Sequence, residues 1–278
     1  MKTTIHNPVG KIAAYLIMVL YTLVIAFPLY VMSVTSLKNN RQIFTEPFAF
    51  PAPIDFDGYR RVFTVSDYGV YFKNSIFVTL LALLFIVMLT AFASYALAKY
   101  EFKGRIFVYV YFVVGLIVPI RLGTIGILRS MIRLSLFDTL WSLIIVFISM
   151  GIPLGVFILY DFIRMIPEEL SNSARIDGAS EHTIFRKIIL PLVQPALASV
   201  AIVNFIPIWN DFWFPLILIR SNDQRPVPLA TALLFGQFET NFGMVFAVLS
   251  LASLPVMLFY LSMSRYFIEG LTSGAMKG

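Results

Sequence analysis

Six long apolar runs dominate the sequence and restrict what it can fold into. A helix that crosses a bilayer needs about 20 mostly apolar residues, and runs of about that length cover 12–36, 73–98, 105–128, 139–160, 195–217 and 243–265. Lipid admits only helices and closed barrels, because every backbone polar group must be satisfied internally. Runs of this length exclude a barrel. The sequence therefore predicts an all-α polytopic membrane protein, with six transmembrane helices in a single domain over residues 1–278.

The composition agrees with a membrane protein and argues against several other classes. Apolar residues make up 59% of the chain and charged residues 13%, whereas soluble domains carry about 25% charged residues. The absence of cysteine removes disulfides, thiolate metal sites and cysteine nucleophiles, and two histidines are too few to favour a histidine-based metal site. The net charge of +6 comes from scattered single residues, unlike the basic stripe that binds nucleic acid. We expect no catalytic residue, no metal site and no nucleic-acid partner.

The sequence also gives expectations for two connections between the runs and for the orientation of the chain in the membrane. The connection 37–71 contains three prolines, acidic residues and aromatics, and we expect a small irregular cap there. The patch 229–235 is too short to span and predicts a short helix. An even number of spans places both termini on one side, and the basic cluster 99–105 marks a cytoplasmic face. The 21 lysines and arginines otherwise divide almost equally between the two sides, so charge alone leaves the orientation open.

A polar segment, 164–191, interrupts the apolar pattern between the fourth and fifth runs. It carries as many acidic as basic residues, so it cannot lie in hydrocarbon and is expected at a membrane surface. Pro167 suits the beginning of a helix whose first turn is acidic, Gly178 suits its end, and Ser180 suits the cap of a second helix. The segment therefore predicts a helix, a sharp turn and a second helix.

Helix signals alone favour an amphipathic hairpin that only connects two spans. A DNA-binding helix-turn-helix has a similar pattern, but the balanced charge speaks against it. A third interpretation is a docking element for a soluble partner, which is the interpretation that the residue spacing supports.

The spacing in the polar segment matches a known motif. Asn172-Ser173-Ala174 is followed by three residues to Gly178, then by nine to Ile188, and Leu190-Pro191 closes the pattern. This resembles the cytoplasmic EAA loop of ABC importer permeases. With 209–215 and 270–278, the chain is similar to the carbohydrate-uptake branch of these permeases, in the group of the maltose transporter's smaller permease subunit. One departure is that Asn172 and Ser173 replace the motif's Glu and first Ala, so any ion pair of that Glu with the ATPase is absent.

The resemblance implies a coupling mechanism and a set of partners. The coupling loop would dock on a separate cytoplasmic ATPase that binds ATP and Mg, and ATPase closure would drive alternating access. The implied partners are a second permease in a heterodimer, two ATP-binding cassette subunits, an extracytoplasmic sugar-binding protein and the lipid bilayer of a bacterial or archaeal cell membrane, with both termini cytoplasmic. This chain has no P-loop and is expected to bind no cofactor itself. The docking residues carried over are Glu169, Asn172, Ser173, Ala174, Asp177, Gly178 and Ala179.

A candidate substrate path combines polar and aromatic residues of the apolar runs. Arg121 lies inside the third run, and an intramembrane arginine is by default a functional candidate, although it can also snorkel to the headgroups. Trp209, Asn210 and Asp211 suit a sugar path, since sugars need hydroxyl partners and aromatic faces. An interfacial aromatic belt and a structural pair between Asp211 and Arg121 remain open. Asn204 is a further candidate, and a hydrogen bond between helices is its alternative.

Two other functional classes compete with an ATP-driven permease subunit. A membrane-embedded enzyme would need acid, base or metal groups that converge at one depth, and the sequence displays no such set. A secondary transporter would work alone on an ion gradient, and inverted internal repeats typical of many such proteins are not evident.

Overall fold

The computed structural model describes residues 8–237 and 241–275, and within these ranges the regular elements are helices. Their bounds are α1 Pro8–Thr35, α2 Asn40–Thr45, α3 Asp57–Val65, α4 Tyr68–Lys99, α5 Arg105–Ile117, α6 Thr124–Arg133, α7 Leu140–Arg164, α8 Glu168–Ile176, α9 Glu181–Ile184, α10 Leu190–Leu192, α11 Gln194–Trp209, α12 Trp213–Leu218, α13 Val227–Gln237 and α14 Phe242–Ala275. The predicted short helix at 229–235 lies inside α13.

Four helices in the described residues are long and apolar enough to cross a membrane: α1, α4, α7 and the first part of α14. Two bent pairs raise the number to six if each is one span. Arg105–Ile117 with Ile120–Arg133 bends by 88°, and Glu181–Leu192 with Gln194–Trp209 bends by 73°. The prediction of an all-helical polytopic membrane protein is confirmed, with four to six spanning segments.

The third predicted span, 105–128, is not one straight helix. Helix α5 ends at Ile117, and Val118 is extended because a following proline disfavours the helical conformation at the residue before it. Pro119 leads into a 3₁₀ turn, Ile120–Gly123, before α6 begins. Arg121 therefore lies in a turn after a sharp bend, rather than inside a straight spanning helix.

The fifth predicted span, 195–217, is also interrupted. Helix α11 ends at Trp209, and α12 begins only at Trp213. Between them, the carboxylate of Asp211 accepts a hydrogen bond from the backbone N–H of Phe214 at 3.0 Å. That bond satisfies one of the free N–H groups at the start of α12, so the side chain of Asp211 stabilises the break in the helix.

The described residues form two compact units, and the prediction of a single domain remains a prediction. The first unit comprises the described parts of Met1–Tyr68 and Thr231–Leu254. Most of the connection 37–71, expected to be irregular, belongs to this unit and contains α2 and α3. The buried Lys38 donates to the carbonyl oxygens of Glu46 at 2.7 Å and Pro47 at 3.0 Å. In this unit α3 also packs closely on α14, since a Cβ on Gly58 would lie 2.6 Å from the carbonyl oxygen of Gly243.

The second unit comprises Gly69–Ala230 and the described residues from Pro255 onward. Two glycines of α7, Gly151 and Gly155, allow α4 to approach it closely, in the small-xxx-small spacing common between membrane helices. A Cβ on Gly155 would lie 2.5 Å from Oγ1 of Thr90, and a Cβ on Gly151 would overlap Ile86. One apolar cluster fills the unit around Ile86. A second cluster lies beneath α8 and α9 and contains Ala91, Tyr95, Leu159, Ile163, Ile184, Phe185 and Ile189.

The C-terminal stretch 270–278 is one of the segments that carry the family resemblance. Helix α14 continues to Ala275, and 276–278 lie outside the described residues.

Gly155→Ala is expected to destabilise the second unit, because the added Cβ overlaps Thr90 and overpacking costs about 1–3 kcal/mol. Thermal melting of the purified protein in detergent should show a lower apparent Tm. Thr90→Ala in the same chain removes the overlapping atoms and should restore most of the loss. Gly126→Ala is the control, since nothing lies within 4 Å of a Cβ there. Equal melting of Gly155→Ala and the parent would contradict the close contact.

Candidate functional sites: a polar cavity and a charged helix pair

A cavity of about 510 Å³ lies in the second unit, against α7, α11 and the break that precedes α12. Its polar and aromatic lining includes Arg121, Asn204, Asn210, Asp211 and Trp213, and apolar side chains of α7 and α11 supply most of the rest. Both interruptions of the predicted spans thus contribute residues to one cavity. Four of the five residues proposed from the sequence as a substrate path line it.

Trp209 is the predicted path residue that does not line this cavity. It is 3% exposed and packs between the rings of Phe72 and Phe205, each with a centroid distance of 6.0 Å. Trp209 is therefore a core side chain in this structure. Trp213, four residues further along and beyond the break, supplies the tryptophan at the cavity wall.

Arg121 and Trp213 form one side of the cavity. The guanidinium carbon of Arg121 lies 5.8 Å from the centroid of the Trp213 ring, within the range of a cation–π contact. The indole Nε1 of Trp213 donates to Oγ1 of Thr124 at 3.0 Å, and that hydroxyl donates to the carbonyl oxygen of Arg121 at 2.5 Å. The bend after α5 and the beginning of α12 are thereby held together.

The remaining polar groups differ in their exposure. Asn210 is exposed, and its Nδ2 donates to the carbonyl oxygen of Ile206 at 2.9 Å. Asn204 is 6% exposed, and its Nδ2 donates to the carbonyl oxygen of Val200 at 2.8 Å within its own helix. Among the described residues, Asp211 and Arg121 form no ion pair within 4.0 Å. The cavity therefore presents a cation, a carboxylate, amides and an aromatic ring, which together suit hydroxyl-rich ligands.

The polar segment 164–191 forms the second candidate site. Helix α8 ends at a turn where Gly178 adopts φ +81°, a left-handed conformation that glycine adopts at least cost. Oγ of Ser180 accepts the backbone N–H of Thr183 at 3.3 Å and caps α9. A π-helical stretch, Phe185–Ile189, follows and leads through α10 to the bend before α11.

A hydrogen-bonded network joins this segment to the end of α4. The Glu181 carboxylate accepts from Nε and Nη2 of Arg175 at 2.6 and 3.2 Å, from the Tyr100 hydroxyl at 2.7 Å and from the Tyr95 hydroxyl at 3.1 Å. Nη1 of Arg175 donates to Oδ1 of Asn172 at 2.8 Å. The bond from Arg175 is the main cause that lowers the pKa of Glu181 to about 2, so this carboxylate is ionised at neutral pH.

The predicted docking residues extend from the first turn of α8 to the turn that follows it. Glu169, Asn172, Ser173, Asp177 and Gly178 are exposed, whereas Ala174 and Ala179 are half-buried against the second apolar cluster. Asn172, which replaces the motif's Glu, has its side-chain oxygen engaged by Arg175. Ile176, which is not among the predicted docking residues, is 87% exposed beside the Gly178 turn. The available signal was an apolar residue immediately before an acidic residue and a turn glycine.

Long apolar helices and a charged helix pair between two of them define a class of polytopic membrane transport protein. Residues 91–272 match the family described as binding-protein-dependent transport system inner membrane components. This match covers more than half of the chain, so the chain belongs to that family of ABC importer permeases. It is a transport subunit rather than an enzyme, and it is a multi-pass membrane protein.

Relatives and solved structures agree with this assignment. An arabinooligosaccharide transport permease, AraQ, of Halalkalibacterium halodurans is 31% identical over 91% of each chain. A multiple sugar-binding transport permease, MsmG, of Streptococcus mutans is 31% identical over 95% of this chain and 96% of its own. A crystal structure of a bacterial ABC transporter that imports the acidic polysaccharide alginate matches with a TM-score of 0.80 at 22% identity, over 95% of this chain and 98% of that chain. The last similarity supports the fold.

Asn210 lines the cavity and is exposed, whereas Ser199 of α11 is 6% exposed and does not line it. The chain has no cysteine, so Asn210→Cys and Ser199→Cys each introduce a single thiol. A charged methanethiosulfonate reagent requires the thiolate, which forms in water and not in an apolar core. It should modify Asn210→Cys much faster than Ser199→Cys in membranes. Equal rates at the two positions would contradict the cavity.

Proposed function

We propose that this chain is one of two permease subunits in an ATP-driven importer of a mono- or oligosaccharide. The proposed assembly contains a second, different permease, two ATP-binding cassette subunits that bind ATP and Mg, and an extracytoplasmic sugar-binding protein. The single observation that carries the sugar class is the name of relatives that align over almost the whole chain, among them permeases for arabinooligosaccharides and for multiple sugars. The cavity chemistry is consistent with that class.

In this proposal the cavity of the second unit is part of the sugar path. Arg121, Asn210 and Asp211 can exchange hydrogen bonds with sugar hydroxyls, and the ring of Trp213 offers a flat apolar surface to the C–H face of a sugar ring. The apolar remainder of the wall matches the general pattern of ligand sites, in which a few polar groups orient a ligand in an apolar pocket.

The helix pair of segment 164–191 is proposed as the coupling element on the cytoplasmic side. Its exposed face would dock on the ATPase, with both termini of the chain on the same side. Ile176 supports this role, because a large apolar side chain that is 87% exposed at a helix end gains most from burial in a partner groove. ATPase closure would then move the helix pair and switch the permease between inward-facing and outward-facing states.

The Gly178 turn provides a test of docking. Nothing lies within 4 Å of a Cβ at this position, so a substitution there acts through backbone conformation rather than through a clash. Gly178→Val should strain the turn and reduce both uptake and ATPase co-purification, because a β-branched residue disfavours positive φ. Gly178→Asn is the matched control and should retain most activity, since Asn tolerates that conformation. Deletion of residues 168–182 should abolish uptake, and unchanged co-purification of the ATPase after that deletion would refute docking.

Trp213→Ala should raise the external sugar concentration needed for half-maximal uptake by about tenfold, equivalent to about 1.4 kcal/mol of lost contact energy. ATPase co-purification should not change. Trp141→Ala is the control, since Trp141 is half exposed and packs on Phe77 outside the cavity. Uptake measured in proteoliposomes with the complete importer distinguishes the two variants. Equal effects of both substitutions would exclude Trp213 from the sugar path.

Family membership favours an ATP-driven subunit over the two competing classes. A secondary transporter would support uptake by this chain alone under an ion gradient, without an ATPase. Vesicles that contain only this chain are therefore expected to show no sugar uptake, whereas vesicles with the complete importer and internal ATP should accumulate sugar.

A further inference from the structure

We propose that Glu181 is the positioning residue that fastens the coupling helix α8 to the end of α4, so that displacement of α8 is transmitted to that spanning helix. The inference rests on the proposed role of segment 164–191 as the coupling element. The proposed function names no residue that passes the motion of the helix pair on to the spanning helices, and we assign that step to Glu181.

The first observation is that Glu181 joins elements distant in the sequence. Its carboxylate accepts hydrogen bonds from Arg175 of α8, from Tyr95 of α4 and from Tyr100 of the following connection. The two tyrosine donors lie 86 and 81 residues from Glu181 in the chain. Loss of this one carboxylate would remove all of these bonds together, while each donor contributes one or two.

The second observation is that the α4 side of the link is anchored in packed core. Tyr95 is 7% exposed, and its ring lies 5.0 Å from that of Phe185 and 5.7 Å from that of Tyr100. Only its hydroxyl reaches the carboxylate. A displacement of Glu181 therefore acts on a side chain that cannot swing away without opening the second apolar cluster.

The third observation is that the α8 side is held in one orientation. Arg175 uses Nε and Nη2 for Glu181 and Nη1 for the side-chain oxygen of Asn172. Bonds between two ionised groups are roughly twice as strong as neutral ones, and a planar guanidinium fixes their direction. Asn172 thus orients Arg175 without offering a second negative charge that would compete for it.

A neighbouring contact reinforces the same link. Nζ of Lys99, the last residue of α4, donates to the carbonyl oxygen of Ile166 at 2.6 Å. Ile166 lies just before α8, so this bond joins the end of α4 to the other end of the coupling helix. Glu181 differs from Lys99 in that its bonds converge on α8 itself, through Arg175.

The test uses the complete importer in proteoliposomes, with sugar transported per ATP hydrolysed as the main readout. Glu181→Gln should lower that ratio by at least about fivefold, the lower end of typical coupling between sites, while ATPase co-purification stays at the parent level. Glu101→Gln is the matched control: it removes an exposed carboxylate beside Tyr100 and should leave the ratio unchanged. The double variant Tyr95→Phe with Tyr100→Phe should by itself lower the ratio of sugar transported to ATP hydrolysed. Combined with Glu181→Gln, it should cause little further decrease.

A rescue separates transmission from a general effect on folding. Since the chain has no cysteine, Arg175→Cys of α8 with Tyr100→Cys after α4 can be bridged by a short bifunctional thiol reagent, which replaces the link through Glu181. Bridging should restore transport per ATP in the assembled importer, whereas each single cysteine treated in the same way should gain none. An unchanged ratio in Glu181→Gln, or a bridge that restores nothing, would overturn the proposal.

Failure of the proposed function gives a different pattern. If deletion of residues 168–182 leaves the ATPase bound, segment 164–191 is not the docking element, and the role proposed for Glu181 falls with it. If that deletion releases the ATPase while Glu181→Gln transports normally, docking stands and only the link through Glu181 is wrong. Loss of ATPase co-purification in Glu181→Gln would assign this residue to docking and would also overturn the proposal.

Discussion

A backbone N–H or C=O without a partner is costly in lipid, so a spanning chain can leave the helical conformation only where other groups satisfy it or where water reaches it. The chain does so after Ile117 and after Trp209. Asp211 accepts the N–H of Phe214 at the second break, and Thr124 donates to a carbonyl oxygen at the first. Both breaks meet at the cavity, which is why its polar groups are concentrated there.

The helical class and the approximate positions of the apolar segments follow from the sequence because an apolar run of sufficient length has one stable form in lipid. The length of an apolar run does not indicate whether the helix bends within it, so the turn after Pro119 was not predicted. The proline itself was the available signal, since it disfavours helical backbone at the preceding residue. The sequence pattern also could not indicate that Trp213, rather than Trp209, lines the cavity. Trp209 is buried by Phe72 on another helix, and that contact is tertiary.

The helix pair shows the same division between local and distant information. Asn172 and Arg175 are three residues apart on one helix, a spacing at which side chains meet, so their bond was within reach of the sequence. The bonds from Tyr95 and Tyr100 to Glu181 join segments more than 80 residues apart. The sequence could therefore indicate that Asn172 contacts Arg175, but not that Arg175 is itself bound to a carboxylate held by two tyrosines from a distant segment.

Helix α7 connects the two candidate sites through continuous packing. Gly151 lies at the cavity, Gly155 contacts Thr90 of α4, and Ile163 is buried in the cluster beneath the helix pair. From Gly151 to Ile163 the helix rises about 18 Å. Because Gly151 and Gly155 bring α4 and α7 into close contact, we infer that a displacement of α4 at Tyr95 would be passed on to α7. The tight glycine contact is thus what would carry motion of the helix pair to the wall of the cavity.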